Sequence, residues 1–162
     1  MRPRVEFVET EPRWRRAAPA RKLARAAVAA AAEEARIKLA RGAEMTIHLA
    51  DDADLRELNR RWRSQDAPTN VLSFPAVAAD RVSTARLLGD VFVALQTVER
   101  EAATEGKPLV DHFRHLVAHG FLHLIGFDHE TPGEAEAMEA VEIRALARLG
   151  VADPYAGAEL RP

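Results

Sequence analysis

Five of the six histidines in this 162-residue chain fall between His112 and His129, and His119 and His123 stand four residues apart. On a helix turning roughly 100° per residue, positions i and i+4 share a face, so both imidazoles can reach one ion. His112, His115, His119 and His123 together span an arc of about 80° on such a helix. The other residues of the segment, Phe113, Leu116, Val117, Ala118, Phe121, Leu122 and Leu124 among them, are apolar nearly all round. A buried helix with a stripe of imidazoles needs a ligand or a cavity, because each unsatisfied buried polar group costs about 1–3 kcal/mol. Gly126 can take the left-handed conformation that turns the chain back after His123 and returns His129 as a third ligand. Three histidines leave the fourth tetrahedral position to water, as in a catalytic zinc site, and that water becomes a hydroxide source near neutral pH. Core histidines satisfied by backbone carbonyls would account for one such residue more readily than for three at these separations. His119, His123 and His129 are therefore expected to bind one zinc ion, although three imidazoles also suit nickel, cobalt or copper.

The remaining histidines are less determined. His112 and His115 precede the ligands by a turn or more, where substrate contact, support of the ligands and plain packing all stay open. His115 is the substrate-binding candidate of the two. His48, alone in a strand, is read as structural.

Composition narrows the chemistry. The chain has no cysteine, so any metal site must use His, Asp and Glu rather than thiolates, and a reducing compartment suits it. Net charge is -2, but it is unevenly spread. Residues 1 to 63 carry 15 Lys and Arg against 10 Asp and Glu, and residues 64 to 162 carry 8 against 15, giving +5 and -7. A basic half can present a cationic face to phosphates, and solvated charge on exposed helices explains the same numbers. No segment is long and apolar enough to span a bilayer. The alanine run Ala26 to Ala32 leads into Glu33 and Glu34 and reads as an amphipathic helix rather than a signal peptide, which makes a cytoplasmic protein the simplest expectation.

The elements that must position these residues can be traced along the chain. Val5 to Val8 is extended, and a helix is expected from about Pro19 to Arg41, ended by Gly42. Met45 to Leu49 alternates like a strand, and Asp51 or Asp52 caps a helix reaching about Arg63. Gln65 to Thr69 is turn chemistry before a short strand, Asn70 to Phe74. A polar loop then leads to a buried strand, Leu88 to Leu95. Helices follow at about Gln96 to Glu105, Pro108 to Ile125 and Gly133 to Leu149. Mixed strands and helices over this length predict one small α+β or α/β layered domain, residues 1–162; α+β is the preferred class, a small mixed sheet layered with helices.

The run from His119 to His129 has the ligand spacing of the metzincin proteases. Their glutamate beside the first ligand, which activates the bound water, is here Gly120, so a peptidase is disfavoured while a zincin-like scaffold is not. With that glycine, the run resembles the signature of the YbeY endoribonuclease family, the bacterial rRNA maturation factors. Asn59-Arg-Arg-Trp-Arg-Ser-Gln-Asp-Ala-Pro-Thr-Asn-Val-Leu-Ser-Phe-Pro75 resembles a second block of that family, and Leu88-Gly89-Asp90 before a strand a third. The C-terminal helix, closing with Leu149-Gly150 and Asp153-Pro154-Tyr155, fits as well. Trp62 and Gln65 stand where Tyr and Lys are common, and Phe127 replaces a Tyr; none of these removes a ligand.

The resemblance implies a metal-dependent, single-strand-directed endoribonuclease. It would act in maturation of the 3′ end of small-subunit rRNA and in ribosome quality control, with RNA and the ribosome as partners. It also implies that Arg63 serves the active site. On the residues alone, Arg56, Arg60 and Arg63 line one helix face that is ordinarily just solvated, but Arg63 ends the helix beside the turn, where a guanidinium could grip a phosphate at two points. Asp128 and Glu130 are candidate general bases, Ser73 is given no chemistry, and Asp90 is left between facing the site and capping a turn. Two other readings stay open: a metal-stabilised, non-catalytic ribosome or RNA adaptor, and a zincin-like hydrolase of a non-RNA substrate.

Overall fold

The computed structural model describes residues 2–64 and 69–156. Strands β1 (Arg4–Glu9), β2 (Glu44–Ala50), β3 (Val71–Pro75) and β4 (Leu87–Ala94) form one sheet in the order β1-β2-β4-β3. The pairs β1/β2 and β2/β4 are parallel, and β3 is an antiparallel edge strand on β4. The helices are α1 (Trp14–Ala17), α2 (Ala20–Ala35), α3 (Asp52–Arg63), α4 (Leu95–Glu105), α5 (Leu109–Leu124) and α6 (Pro132–Arg148), with a short 3-10 helix at Ala79–Thr84. This is the α+β arrangement, a short mixed sheet layered with helices, that the sequence predicts.

Alternation along the strands sends neighbouring side chains to opposite faces. Ile47, Leu49, Val91 and Val93 are fully buried in the main core with Phe113, Val117, Phe121 and Leu124 of α5. The other face receives α3, whose Leu55 packs with Ala50, Leu72 and Ala94. Helix α5 packs on α2, α4, α6, β3 and β4, which makes it the central helix of the molecule. A fully buried Leu or Phe contributes about 1.5–3 kcal/mol, so the apolar part of α5 anchors its histidine stripe rigidly.

Two features depart from the expectation. Helix α2 stops at Ala35 rather than near Arg41, with Arg36 in the left-handed conformation at φ 55°. Leu39 and Ala43 belong to the same core, and six further helical residues would carry the chain about 9 Å past it. The short α1 was not anticipated. It exists because Trp14, buried to 1% exposure, donates from Nε1 to the Ala50 carbonyl at 2.9 Å and packs on Phe113. The turn read at Gln65 to Pro68 lies outside the described residues.

Candidate metal centre

The C-terminal end of α5 builds the site. Gly126 adopts φ 105°, and its N–H bonds to the His123 carbonyl at 3.2 Å while the Phe127 N–H bonds to the Leu122 carbonyl at 3.0 Å. That crossed pair is a Schellman cap, which satisfies the last carbonyls and reverses the chain. A Cβ on Gly126 would lie 2.8 Å from the Ala79 Cβ, so the position needs glycine for space as well as for φ.

The reversal brings His129 back over its predecessors. Its ring centroid lies 5.6 Å from that of His119 and 4.9 Å from that of His123. One ring nitrogen from each of His119, His123 and His129 falls in a group within 4.8 Å of one another. The Nε2 atoms of His119 and His123 are 3.2 Å apart. Two imidazole nitrogens on one tetrahedral zinc, with bonds of about 2.0–2.1 Å, are separated by roughly 3.3 Å.

The opposite ring nitrogens each face an oxygen acceptor. His123 Nδ1 lies 3.0 Å from the Phe127 carbonyl, and His119 Nδ1 lies 3.3 Å from Glu142 Oε2. Both partners only accept, so a neutral ring at either position would carry its proton on Nδ1 and present Nε2 as a lone pair. Two such lone pairs 3.2 Å apart could hold a cation between them. Burial, followed by the neighbouring His119 and His129, pushes His123 down to about 4, so its ring is neutral and ready to ligate at pH 7. The donor set fits a divalent transition ion, with zinc among those it suits.

Glu142 was not singled out from the sequence. It is completely buried on α6, and its Oε1 accepts from His115 Nε2 at 2.6 Å and from the Tyr155 hydroxyl at 2.8 Å. Burial raises this carboxyl, but hydrogen bonds from His115 and His119 outweigh that and hold it at about 2. Burial and the Glu142 charge push the Tyr155 phenol well up, so it stays a donor. A signal was present: Met138, Val141, Glu142, Ala145 and Leu146 are the buried residues of α6, so this one glutamate of a Glu-rich helix lies on its apolar stripe.

His115 thus has its Nε2 committed to Glu142, with 12% of its side chain exposed, and stands behind His119. His112 sits farther back, with Nε2 on Glu101 at 2.8 Å; Glu101 also takes the Asn70 amide at 2.9 Å. A cleft of about 940 Å³ opens beside the triad, and Arg63, Asp128 and Glu130 stand on its walls. Arg63 Nη2 reaches the Ser73 carbonyl at 3.3 Å, and its guanidinium lies 5.9 Å from the Phe74 ring. Asp128 Oδ1 accepts the His129 N–H, tying down the loop that carries His129.

His48, Asp90 and Ser73 lie apart from the histidine triad or serve packing. His48 bonds to Asp90 at 2.8 Å and stacks on Phe92, on the sheet face away from α5, so Asp90 neither faces the triad nor caps a turn. Ser73 donates from Oγ to the Gly120 carbonyl at 3.0 Å. A Cβ at Gly120 would fall 2.7 Å from Val91 Cγ1 and 3.1 Å from Ser73 Oγ. The place where a metzincin carries its glutamate is therefore filled by β3 and β4.

Fold and site together are those of a zincin-like hydrolase on a small α+β scaffold, with the peptidase base sterically excluded. The comparisons with known proteins narrow the class. The model of the Endoribonuclease YbeY family matches residues 9–150. The endoribonuclease YbeY of Methylocella silvestris is 45% identical over 155 residues, covering 96% of this chain and 87% of that protein. That of Rhodopseudomonas palustris (strain BisA53) is 56% identical over 117 residues, covering 70% and 68%. A solution structure from Thermotoga maritima shares the fold, with a TM-score of 0.57 at 22% identity over 90% of this chain and 91% of that one. The chain belongs to the YbeY endoribonuclease family.

Proposed function

We propose that this chain is a metal-dependent endoribonuclease that cuts single-stranded RNA during maturation of the 3′ end of small-subunit rRNA and in ribosome quality control. Family membership supports the general statement, an endoribonuclease of rRNA processing. The further reading has residues 1–162 act as one catalytic domain, with one zinc per chain, in the cytoplasm and in contact with the ribosome. Among the described residues no helix is long and apolar enough to cross a membrane.

The observation that carries the metal-dependent reading is the pair of Nε2 atoms 3.2 Å apart, each with its Nδ1 on an acceptor. His119, His123 and His129 would hold the ion, which supplies Lewis acidity toward a phosphoryl oxygen and a hydroxide source near neutral pH. Arg63, on the wall of the same cleft, stabilises charge building on the phosphoryl oxygens and orients the phosphate at two points. Asp128 and Glu130 are the carboxylates on those walls that can take a proton from the attacking water. His115 serves the site from behind, through Glu142.

The filled space at Gly120 counts against a peptidase, and the open cleft beside the triad counts against a purely structural ion. Metal analysis of the purified chain, paired with cleavage of single-stranded RNA with and without chelator, tests the reading. His123→Ala is expected to lose both metal and cleavage. A metal-free His123→Ala chain that still cut RNA would overturn it.

A further inference from the structure

We propose that Glu142 is the positioning residue of the metal centre, and that the C-terminal turn, through Tyr155, holds it in the orientation that sets the tautomer of His119. This rests on the reading of His119 as a ligand. The two carboxylate oxygens are used differently. Oε1 takes the donors His115 Nε2 at 2.6 Å and Tyr155 Oη at 2.8 Å. Oε2 faces His119 Nδ1 at 3.3 Å. With Oε1 taken up by two donors, the remaining charge of the anion is directed at the His119 ring, where it favours the Nδ1–H form. That form leaves Nε2 as the lone pair beside the Nε2 of His123.

A simple ion pair tying α5 to α6 would need no such division of labour. Three further features make the arrangement specific. Glu142 is fully buried, so water cannot substitute for a lost donor. His115 is clamped between the carboxylate and the Tyr155 ring, whose centroid lies 5.4 Å away at an interplanar angle of 87°. Tyr155 comes from beyond α6, in a turn whose backbone is held by the Asp153 carboxylate at 2.8 Å. The Phe127 carbonyl does for His123 what Glu142 does for His119. Two of the three ligands are thus oriented before any ion arrives, one of them by a residue far along the chain.

The test uses the full-length chain, zinc alone as the probe and two variants, Glu142→Gln and Tyr155→Phe. Long-range proton–nitrogen correlation spectra of the metal-free protein read the His119 tautomer, and competition with a chromophoric chelator reads zinc affinity. Wild type should show His119 as Nδ1–H. Glu142→Gln, whose amide can donate to Nδ1, should shift the ring toward Nε2–H and lower zinc affinity roughly 10–100-fold. Tyr155→Phe, which keeps the ring packing, should lower affinity severalfold in the same direction. Melting of the metal-free variants checks folding; should Glu142→Gln fail to fold, Tyr155→Phe decides alone. A wild-type His119 in the Nε2–H form, or zinc affinity unchanged in the folded variants, overturns the proposal. Absence of zinc binding in wild type overturns the ligand reading itself and is told apart because no variant is then involved.

Discussion

Arg63 and His112 illustrate how differently two polar residues of one neighbourhood can act. Arg63 is at the exposed end of α3, near the Ser73 carbonyl and over the Phe74 ring, and stands outside the histidine triad. Arg63→Ala should therefore keep full zinc affinity while kcat falls roughly a hundredfold, the effect of losing one charge-stabilising donor. Unchanged turnover on single-stranded RNA would remove Arg63 from the mechanism. His112, only 5% exposed, is held below the ordinary histidine value by burial, partly offset by its bond to Glu101. A folded value below the unfolded one means that the unfolded chain binds the extra proton. The contribution of His112 to stability is then complete above about pH 6.5 and is lost as pH falls toward its folded value. Urea titrations with chelator present should show wild type losing more stability than His112→Gln between pH 7.5 and pH 5. Parallel losses in the two chains would refute the assignment.

At the scale of elements, the centre depends on how closely α5 lies on the sheet. Gly120 faces Val91, Ser73 and Val71, and Val91 is a stiff, fully buried side chain that cannot step aside. Gly120→Ala should cost about 1–3 kcal/mol by overpacking, read as a lower urea midpoint, and should loosen zinc binding because His119 is the adjacent residue. A variant as stable as wild type would show that α5 can shift on the sheet to make room for the methyl group. The same closeness explains what the spacing of histidines cannot: the helix is a zincin-like helix with its catalytic glutamate position closed. α5 carries two histidines of the triad, the loop after its Schellman turn the third, and α6 the carboxylate behind them.

For the whole molecule, an ion at the triad would link α5, the loop after it and, through Glu142, α6 with the C-terminal turn. Zinc at a thousandfold excess over its Kd should stabilise the fold by about 4 kcal/mol, a rise in Tm of roughly 10 °C, reversed by chelator. His123→Ala should melt at one temperature with or without zinc. A wild-type Tm indifferent to zinc would mean that the ligands do not close on an ion.

Much of this was legible in the residues alone, because it is local. The i, i+4 spacing of His119 and His123, the glycine that reverses the chain and the return of His129 follow from helix geometry and from which residues tolerate a left-handed backbone. The alternation of the strands and the apolar wrap of α5 likewise determine a mixed α+β layer. What lies far apart in the chain was decided only by the tertiary structure. Glu142 meets His119 across 23 residues and Tyr155 meets His115 across 40, and neither approach leaves a periodic trace. Helix α2 could have continued on local propensity, but the core needed Leu39, and its length was settled there. Local backbone preference writes the three histidines into the chain; the acceptor that comes from far along it, Glu142, is brought to them by packing.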